Sequence, residues 1–410
     1  MNPLLWFGFQ FSIMTLIAVG AWVSLKRYYG ATFLTPKLRR ILLAAILGGI
    51  AANLLTFVFH LATGGSAVGF KLFWVVKFGI YAWHFWLFFL WMTVMVMSVV
   101  RPLGSRALVT THLGRRAFLK ASSAMPIAVP LISIPAGAWG ASRLKLRQVD
   151  LYYPKLPEAL IGLTIGQLSD VHLGPFLGLD HLRVAVEAMR GLKPEIFTTT
   201  GDLADSWQMF EPAARILDSV ESAHGRSYAC IGNHEYYAGR WAFVKAFGYG
   251  VPDRERNRMR LLIDQQETIE VRGTKIRMIG VDFPIHARGK DEAPVKPGPF
   301  SGPREEFLIC LAHHPKLFPQ TADLGADLTL SGHIHAYQMR FAGISVGHVF
   351  SRYVDGVYRG ATPEPSDRQL FVTAGTGHWL PLRFNCPPEI ALITLSRGDP
   401  RESRWKLVDL

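Results

Sequence analysis

The chain has 410 residues, 50% of them hydrophobic, and a formal net charge of +13, so it is long enough for more than one domain. Residues 1–141 contain twelve Lys or Arg and no Asp or Glu, which leaves 32 basic and 31 acidic residues downstream. The positive charge therefore gives no reason to expect nucleic-acid binding, and we relate it instead to membrane topology.

Four apolar stretches in the first third predict membrane-spanning helices. Each reaches or exceeds the about 20 residues that a helix needs to cross a bilayer, although three prolines interrupt the last one. The stretches are Leu4–Leu25, Ile41–Ala62, Phe73–Val100 and Ala121–Ala141. We therefore expect a four-helix transmembrane region over residues 1–141, followed by a second domain over residues 142–410.

Basic residues in the short loops predict the orientation of these helices. Loops 26–40 and 101–120 each hold five Lys or Arg, whereas loop 63–71 holds one, and basic loops stay in the cytoplasm. Arg115 and Arg116, followed by Phe-Leu-Lys and an apolar stretch, resemble an internal twin-arginine export signal; an ordinary positive flank is the alternative. We expect an integral protein of the bacterial plasma (inner) membrane whose second domain lies on the extracytoplasmic side.

From about Leu144 onwards, short β-branched runs alternate with amphipathic segments, which is typical of layered sheets and helices. Residues 289–303 are rich in Gly and Pro and predict a surface loop. Helices are expected over residues 181–192 and 211–222. Strands are expected over residues 163–168, 196–200, 227–231, 260–263, 268–271, 276–281, 307–311, 328–330, 370–373 and 390–394.

Five polar motifs directly follow apolar, strand-like runs. Because open α/β sheets gather their ligand sites at the carboxyl ends of strands, five such loops can converge on one place. A single motif of this kind is more often a satisfied turn than a site, but five in order favour a functional centre. The motifs are Ser169-Asp170-Val171-His172, Gly201-Asp202-Leu203-Ala204-Asp205, Gly232-Asn233-His234-Glu235, Ala312-His313-His314-Pro315 and Gly332-His333-Ile334-His335.

The donor chemistry of these motifs predicts a metal centre. Carboxylates, an amide carbonyl and imidazoles without thiolate suit Mn, Fe, Zn or a similar divalent ion. Seven candidate ligands exceed the four of a structural zinc site, so we expect two ions that share a carboxylate and a water, which becomes the attacking hydroxide. The candidates are Asp170, His172, Asp202, Asn233, His313, His333 and His335.

In order and spacing, the five motifs resemble those of the calcineurin-like metallophosphoesterases, and in particular a membrane-tethered subgroup. That subgroup also resembles this chain at residues 381–390. The resemblance implies a four-layer αββα sandwich. Where the subgroup often has two glycines and Gln after its last motif, this chain has Ala336, Tyr337 and Gln338, and we expect the bulkier residues to narrow or reshape the substrate entrance.

The same resemblance implies roles for individual residues. His234 would stabilise the transition state or protonate the leaving oxygen, supported by Asp205 and Glu235, and His313 is preferred to His314 because it lies two residues before Pro315. One ion would be held by Asp170, His172, Asp202 and His335, and the other by Asp202, Asn233, His313 and His333.

The leading functional hypothesis is a membrane-anchored phosphodiesterase or pyrophosphatase with a lipid-linked or cell-envelope substrate. The fold alone cannot choose among the substrates of the family. A phosphomonoesterase, or a cytoplasmic-facing lipid-sugar pyrophosphatase if the topology is inverted, is the first alternative. The second is a non-enzymatic metal-binding sensor or scaffold, against which an intact ligand set including His234 argues.

Overall fold

The computed structural model describes residues 3–33, 36–63, 79–80, 82–84, 86–100, 125, 128–129, 131–174, 176–220, 227–248, 259–283, 295–302, 306–361, 365–378 and 380–410. The chain divides into two compact units, Met1–Gly137 and Ala138–Leu410. The Arg115-Arg116 motif, much of loop 63–71 and part of the expected loop 289–303 lie outside the described residues.

The first unit is helical. Ala18 and Ala21 of the first helix, Ile46 of the second and Leu87 and Leu90 of the third belong to one buried apolar cluster. Leu131–Ala141 then leads into the second unit. The helices are α1 (Pro3–Phe33), α2 (Pro36–Thr63), α3 (Ala82–Val100) and α4 (Leu131–Ala141).

Among the described residues, only α3 is both long and apolar enough to cross a membrane. The expected four-helix membrane region is thus supported for one helix and not as a set of four. The described apolar segments in α2 and α4 are Leu43–Leu55 and Leu131–Ala141, too short at about 1.5 Å per residue for a hydrocarbon core of about 30 Å.

The second unit is built on two large sheets and a two-stranded hairpin. Its helices are α5 (Leu179–Leu192), α6 (Phe210–Leu217), α7 (Asn233–Ala246) and α8 (Phe318–Asp323). Its strands are β1 (Lys145–Tyr153), β2 (Thr164–Leu168), β3 (Ile196–Thr199), β4 (Ser227–Ala229), β5 (Met259–Leu261), β6 (Gln265–Val271), β7 (Thr274–Gly280), β8 (Phe307–Leu311), β9 (Leu328–Ser331), β10 (Arg340–Phe341), β11 (Ile344–Ser345), β12 (Gly356–Ala361), β13 (Pro365–Val372), β14 (Glu389–Arg397) and β15 (Arg404–Asp409).

The strand order brings the motif-bearing strands side by side. The first sheet runs β15-β1-β14-β2-β3-β4-β5, and the second runs β12-β13-β9-β8-β7-β6. Strands β2, β3 and β4 are parallel neighbours in the first sheet, as are β8 and β9 in the second. The loops after these five strands therefore leave their sheets at carboxyl ends, where α/β folds place ligand sites.

Buried apolar side chains hold the sheets and helices in layers. Ile165 of the first sheet and Met278 of the second belong to one core between the sheets. Leu182 and Phe210 belong to a second core, which packs helices α5 to α7 on the first sheet. Phe318 of α8 packs on the outer face of the second sheet. This arrangement confirms the expected αββα sandwich, with a thinner outer helical layer on the second sheet.

The spacing of apolar residues in the sequence predicts helix α5 but does not predict helix α7. Leu182, Val186 and Met189 of α5 are buried at helical spacing. In α7, Gly239 has a φ of 132° and interrupts the regular helix, and this weakens the periodic signal. Helix α6 ends at Leu217, before the expected residue 222.

Candidate metal centre

The backbone of three of the five motif loops is unusual. Asp170, His172, Asp202, His333 and His335 all have φ between 52° and 71°, the left-handed region that residues with a side chain rarely adopt. Such strained conformations cluster at functional sites, where the surrounding structure enforces them. The loops thus turn sharply and aim their side chains at one another.

Motif glycines allow this close approach. A Cβ atom added to Gly332 would lie 2.0 Å from Asp170 Oδ2, and one added to Gly232 would lie 2.2 Å from Asp202 Oδ1. Both distances are far below van der Waals contact. Only glycine leaves room for these two carboxylates.

Asp170, His172 and His335 form one group, with potential ligand atoms all within 4.8 Å of one another. His172 Nε2 lies 2.9 Å from His335 Nε2, and His335 Nε2 lies 3.2 Å from Asp170 Oδ1. His172 Nδ1 donates to Asp205 Oδ1 at 2.8 Å. This bond leaves the Nε2 lone pair of a neutral His172 directed into the group.

Asp202, His313 and His333 form another group of the same size. His313 Nε2 lies 3.2 Å from Asp202 Oδ2, 3.1 Å from His333 Nδ1 and 3.2 Å from Asn233 Oδ1. His313 Nδ1 donates to the Thr200 carbonyl oxygen at 2.6 Å, so Nε2 is the ring atom that faces the other three side chains. Burial lowers the pKa of His313, but the Asp202 carboxylate outweighs it and raises the pKa to about 9, so a cation bound here would displace a proton from Nε2.

The Asp202 carboxylate lies between the two groups. Its Oδ2 atom is 3.2 Å from His313 Nε2 and 3.8 Å from His172 Nε2, and the side chain is almost completely buried. Burial alone raises the pKa of Asp202, but the neighbouring His313 and His234 outweigh it and hold the pKa well below its usual range. Asp202 is therefore an anion within reach of both groups.

The adjacent histidines His313 and His314 have different surroundings. The His313 side chain points into the second group, whereas the His314 ring stacks on Phe283 with centroids 6.1 Å apart and accepts a hydrogen bond from Lys316 N. Among the described residues, His314 belongs to no metal-binding group. It supports the ring of His333, whose centroid is 4.3 Å away.

His234 lies at the edge of the centre with its ring partly exposed. Its Nδ1 atom is 2.7 Å from Asp205 Oδ1 and its Nε2 atom is 3.9 Å from Asp202 Oδ2. Burial lowers the pKa of His234, but the carboxylates of Asp202 and Asp205 raise it to about 10. The ring is therefore a proton donor at neutral pH.

Glu235 organises the backbone beneath the centre. Its carboxylate accepts hydrogen bonds from the backbone N–H groups of Asp202, Leu203 and Gly232 at 3.0, 2.6 and 2.7 Å. Glu235 stands at the third position of α7, where such a side chain caps the first turn of a helix. It thereby couples the loop after β3 to the start of α7.

The protonation states of His333 and His335 suit the binding of a cation. Burial and the neighbouring His313 lower the pKa of His333 to about 3, and burial lowers the pKa of His335 to about 4. Both rings are neutral at physiological pH, the form in which imidazole binds metals. Carboxylate, amide and imidazole donors in this number fit divalent ions, so the residues present are suited to the metal chemistry expected from the sequence.

The motif pattern gave no role to Arg383, which is fully buried beside the centre. Its Nη2 atom lies 3.1 Å from His335 Nδ1 and donates to the Ala374 carbonyl oxygen at 2.8 Å. The available sequence signal is the resemblance of residues 381–390 to the membrane-tethered subgroup, a segment in which Arg383 stands between apolar residues.

The fold and the centre together define a class. A sandwich of two sheets that gathers carboxylates, an amide and imidazoles at its strand ends belongs with the metal-dependent phosphoesterases. Residues 163–337 match the family model for calcineurin-like phosphoesterases, and the chain thus carries a calcineurin-like phosphoesterase domain. The family uses divalent metals.

Relatives share this domain across bacteria and animals. A "transmembrane protein with metallophosphoesterase domain" from Danio rerio is 29% identical over 265 residues, covering 62% of this chain and 58% of the relative. An uncharacterized metallophosphoesterase from Helicobacter pylori is 30% identical over 264 residues, covering 62% of this chain and 65% of the relative. The matches thus span less than two thirds of these two relatives. Together with helix α3, the first relative's name suggests membrane association.

Proposed function

We propose that this chain is a membrane-anchored, two-metal phosphoesterase that hydrolyses phosphodiester or pyrophosphate bonds. The observation that carries the proposal is the convergence of two His/Asp groups around Asp202, next to a protonated His234. A site of this kind offers positive charge for a phosphate and a proton for its leaving oxygen.

The proposed ligands divide into two sets that share Asp202. Divalent ions bound there would supply charge neutralisation for the phosphate and activation of a water. One set is Asp170, His172, Asp202 and His335, and the other is Asp202, Asn233, His313 and His333. Mn, Fe and Zn all suit these donors.

The chain's own residues would act on the leaving group and on the geometry of the site. As water adds to phosphorus and the bond from phosphorus to the leaving oxygen breaks, His234 would donate its proton to that oxygen. Asp205 would hold the His234 ring through Nδ1 and so direct Nε2 to the substrate. The rigid loop made by Glu235 would keep Asp202 in position.

The proposal extends to the membrane and to topology. We propose that residues 1–141 anchor the chain in the bacterial inner membrane and that residues 142–410 form the catalytic domain on the extracytoplasmic side. Support comes from basic loops and from exposed apolar side chains on α1 to α3, such as Leu16, Leu55 and Val99. Reporter fusions after Val100 and after the C-terminus test it, and a cytoplasmic C-terminus would contradict it.

Hydrolysis by the full-length protein in detergent is the direct test. The protein is stripped with a chelator, reloaded separately with Mn, Fe or Zn, and assayed on a phosphodiester, a phosphomonoester and a lipid pyrophosphate. We expect metal-dependent cleavage of the diester or pyrophosphate that falls in His234→Ala and Asn233→Ala. Metal binding without cleavage of any ester would favour the sensor or scaffold, and preferential cleavage of the monoester would favour the phosphomonoesterase.

A further inference from the structure

An exposed apolar segment lies just beyond the metal centre. Phe341, Ile344, Val349 and Phe350 have 58, 65, 81 and 73% of their surface exposed. Residues 341–351, which include the β10–β11 turn, contain no Asp, Glu, Lys or Arg. So many large apolar side chains exposed in one short segment mark a surface that contacts something apolar. We call Phe341–Phe350 the apolar rim.

The apolar rim packs on the residues that follow His335. The Phe350 ring lies 5.7 Å from the Tyr337 ring, and Ser345 Oγ donates to the Ala336 carbonyl oxygen at 2.5 Å. A Cβ atom on Gly347 would lie 2.3 Å from the Tyr337 ring. The rim is therefore fixed close to a proposed metal ligand. Ala336 and Tyr337, on which the rim packs, are also residues where this chain departs from its subgroup.

The base of the rim lies where the chain enters the domain. Arg340 N donates to the Phe384 carbonyl oxygen, and Phe384 N donates to the Gln338 carbonyl oxygen, both at 2.9 Å. On the same short segment, the carbonyl oxygen of Arg383 lies 2.2 Å from where a Cβ of Gly140 would be. Gly140 belongs to α4, which follows the membrane unit in sequence. The end of α4 and the base of the apolar rim thus both contact the segment of Arg383 and Phe384, at one edge of the domain.

The exposed charge next to the rim has the sign that attracts phosphate. Arg352, two residues after the rim, is exposed, whereas the acidic group nearest in sequence, Asp355, is buried and bonded to Arg340 at 2.5 Å. Apolar and aromatic side chains bordered by arginine are typical of surfaces that enter the interfacial layer of a bilayer.

We propose that the apolar rim inserts into the interfacial layer of the bilayer that holds the chain, and that the substrate is the phosphate ester of a lipid headgroup. The substrate part rests on the proposed phosphoesterase function, while the insertion part does not. Insertion would bring the metal centre close to the depth of lipid phosphates, since the Phe350 ring packs on Tyr337, two residues after His335.

Fluorescence in liposomes tests insertion independently of catalysis. Val349→Cys in the full-length protein is labelled with an environment-sensitive dye and reconstituted into phosphatidylcholine and phosphatidylglycerol vesicles. Val184→Cys on α5, also exposed at 60%, is the matched control. The native Cys230, Cys310 and Cys386 are buried, so they react slowly.

We expect nitroxide-labelled lipids to quench the Val349→Cys label and aqueous iodide to quench the Val184→Cys label. Equal quenching of both labels by iodide would overturn insertion. Energy transfer between differently labelled copies at Val349→Cys, together with iodide access in dilute vesicles, would assign the rim to a second copy of the chain and would also overturn it.

Enzyme assays test the substrate class. In the triple variant Phe341→Ser, Ile344→Ser and Phe350→Ser, the ratio of kcat/KM for a lipid phosphodiester in vesicles to that for a small soluble diester should fall at least about tenfold. Val184→Ser should retain the wild-type ratio. An unchanged ratio in the triple variant would overturn the lipid substrate. If the wild-type protein cleaves neither ester, the proposed function fails while the quenching result still decides insertion.

Discussion

Asp205 accepts a hydrogen bond from His172 Nδ1 at 2.8 Å. The same carboxylate oxygen lies 2.7 Å from His234 Nδ1. One anion therefore orients a proposed metal ligand and the proposed proton donor together. Burial raises the pKa of Asp205, but His172 and His234 lower it below its usual range, so the group stays charged.

This relationship predicts that Asp205→Asn will impair both metal binding and proton donation by His234. An amide holds both rings less strongly, and loss of such an outer hydrogen bond typically costs about 10–100-fold in metal affinity or activity. Metal titration and kcat should both show the loss. Asp180→Asn, whose exposed carboxylate pairs with Arg183 on the surface of α5, serves as the control. Normal metal affinity in Asp205→Asn would contradict the proposed role.

His234→Ala should slow hydrolysis according to the leaving group. A positioned general acid contributes about 10²–10⁴-fold when the leaving oxygen needs a proton. Esters of aliphatic alcohols should therefore lose most of their rate, whereas esters of nitrophenol should lose much less. The measurement is kcat for a series of diesters that differ in leaving-group pKa. Equal losses across the series would show that His234 does not donate the proton.

Gly332→Ala should remove metal binding. The new methyl group would lie 2.0 Å from Asp170 Oδ2, so this carboxylate and the loop after β9 must move apart. Gly191→Ala in α5 is the matched control, because a Cβ there meets nothing within 4 Å and alanine stabilises helices by about 0.5–1 kcal/mol relative to glycine. Calorimetric titration with Mn after chelation should detect binding in the control and not in Gly332→Ala.

Asp327 precedes β9 and lies away from the proposed ligands. Its buried carboxyl group should make the free energy of unfolding of the protein depend on pH. Burial raises the pKa of Asp327 to about 6, although the bond from Leu308 N opposes this. Between the ordinary pKa and about 6 the folded state holds more protons than the unfolded state, so stability falls as pH rises through this range.

Asp327→Asn should remove that dependence, because an amide does not ionise. Thermal unfolding at pH 4 to 8 should show the variant gaining about 1–2 kcal/mol over the wild type as pH rises from 4 to about 6, after allowance for solvent screening, and no further gain above that. A constant difference between the two proteins across this range would contradict the raised pKa.

The main elements around the centre were predictable from local patterns. Strand β8 occupies the expected residues 307–311, and α5 differs from expectation only at its start. These elements are readable because burial of one face produces a short-range periodicity. Helix α7 was missed because Gly239 breaks that periodicity. Among the described residues, one of the four helices expected from apolar length is long and apolar enough to cross a membrane.

The sequence by itself determined which side chains are available for metals, their order after the strands and the separation of charge between the two parts of the chain. These properties depend on residue type and spacing. Tertiary structure decided which ring nitrogen of His313 faces the centre, that Arg383 lies against His335, and that the base of the apolar rim meets the segment that also contacts Gly140. Such contacts join residues far apart along the chain, and only the packing of two sheets brings them together.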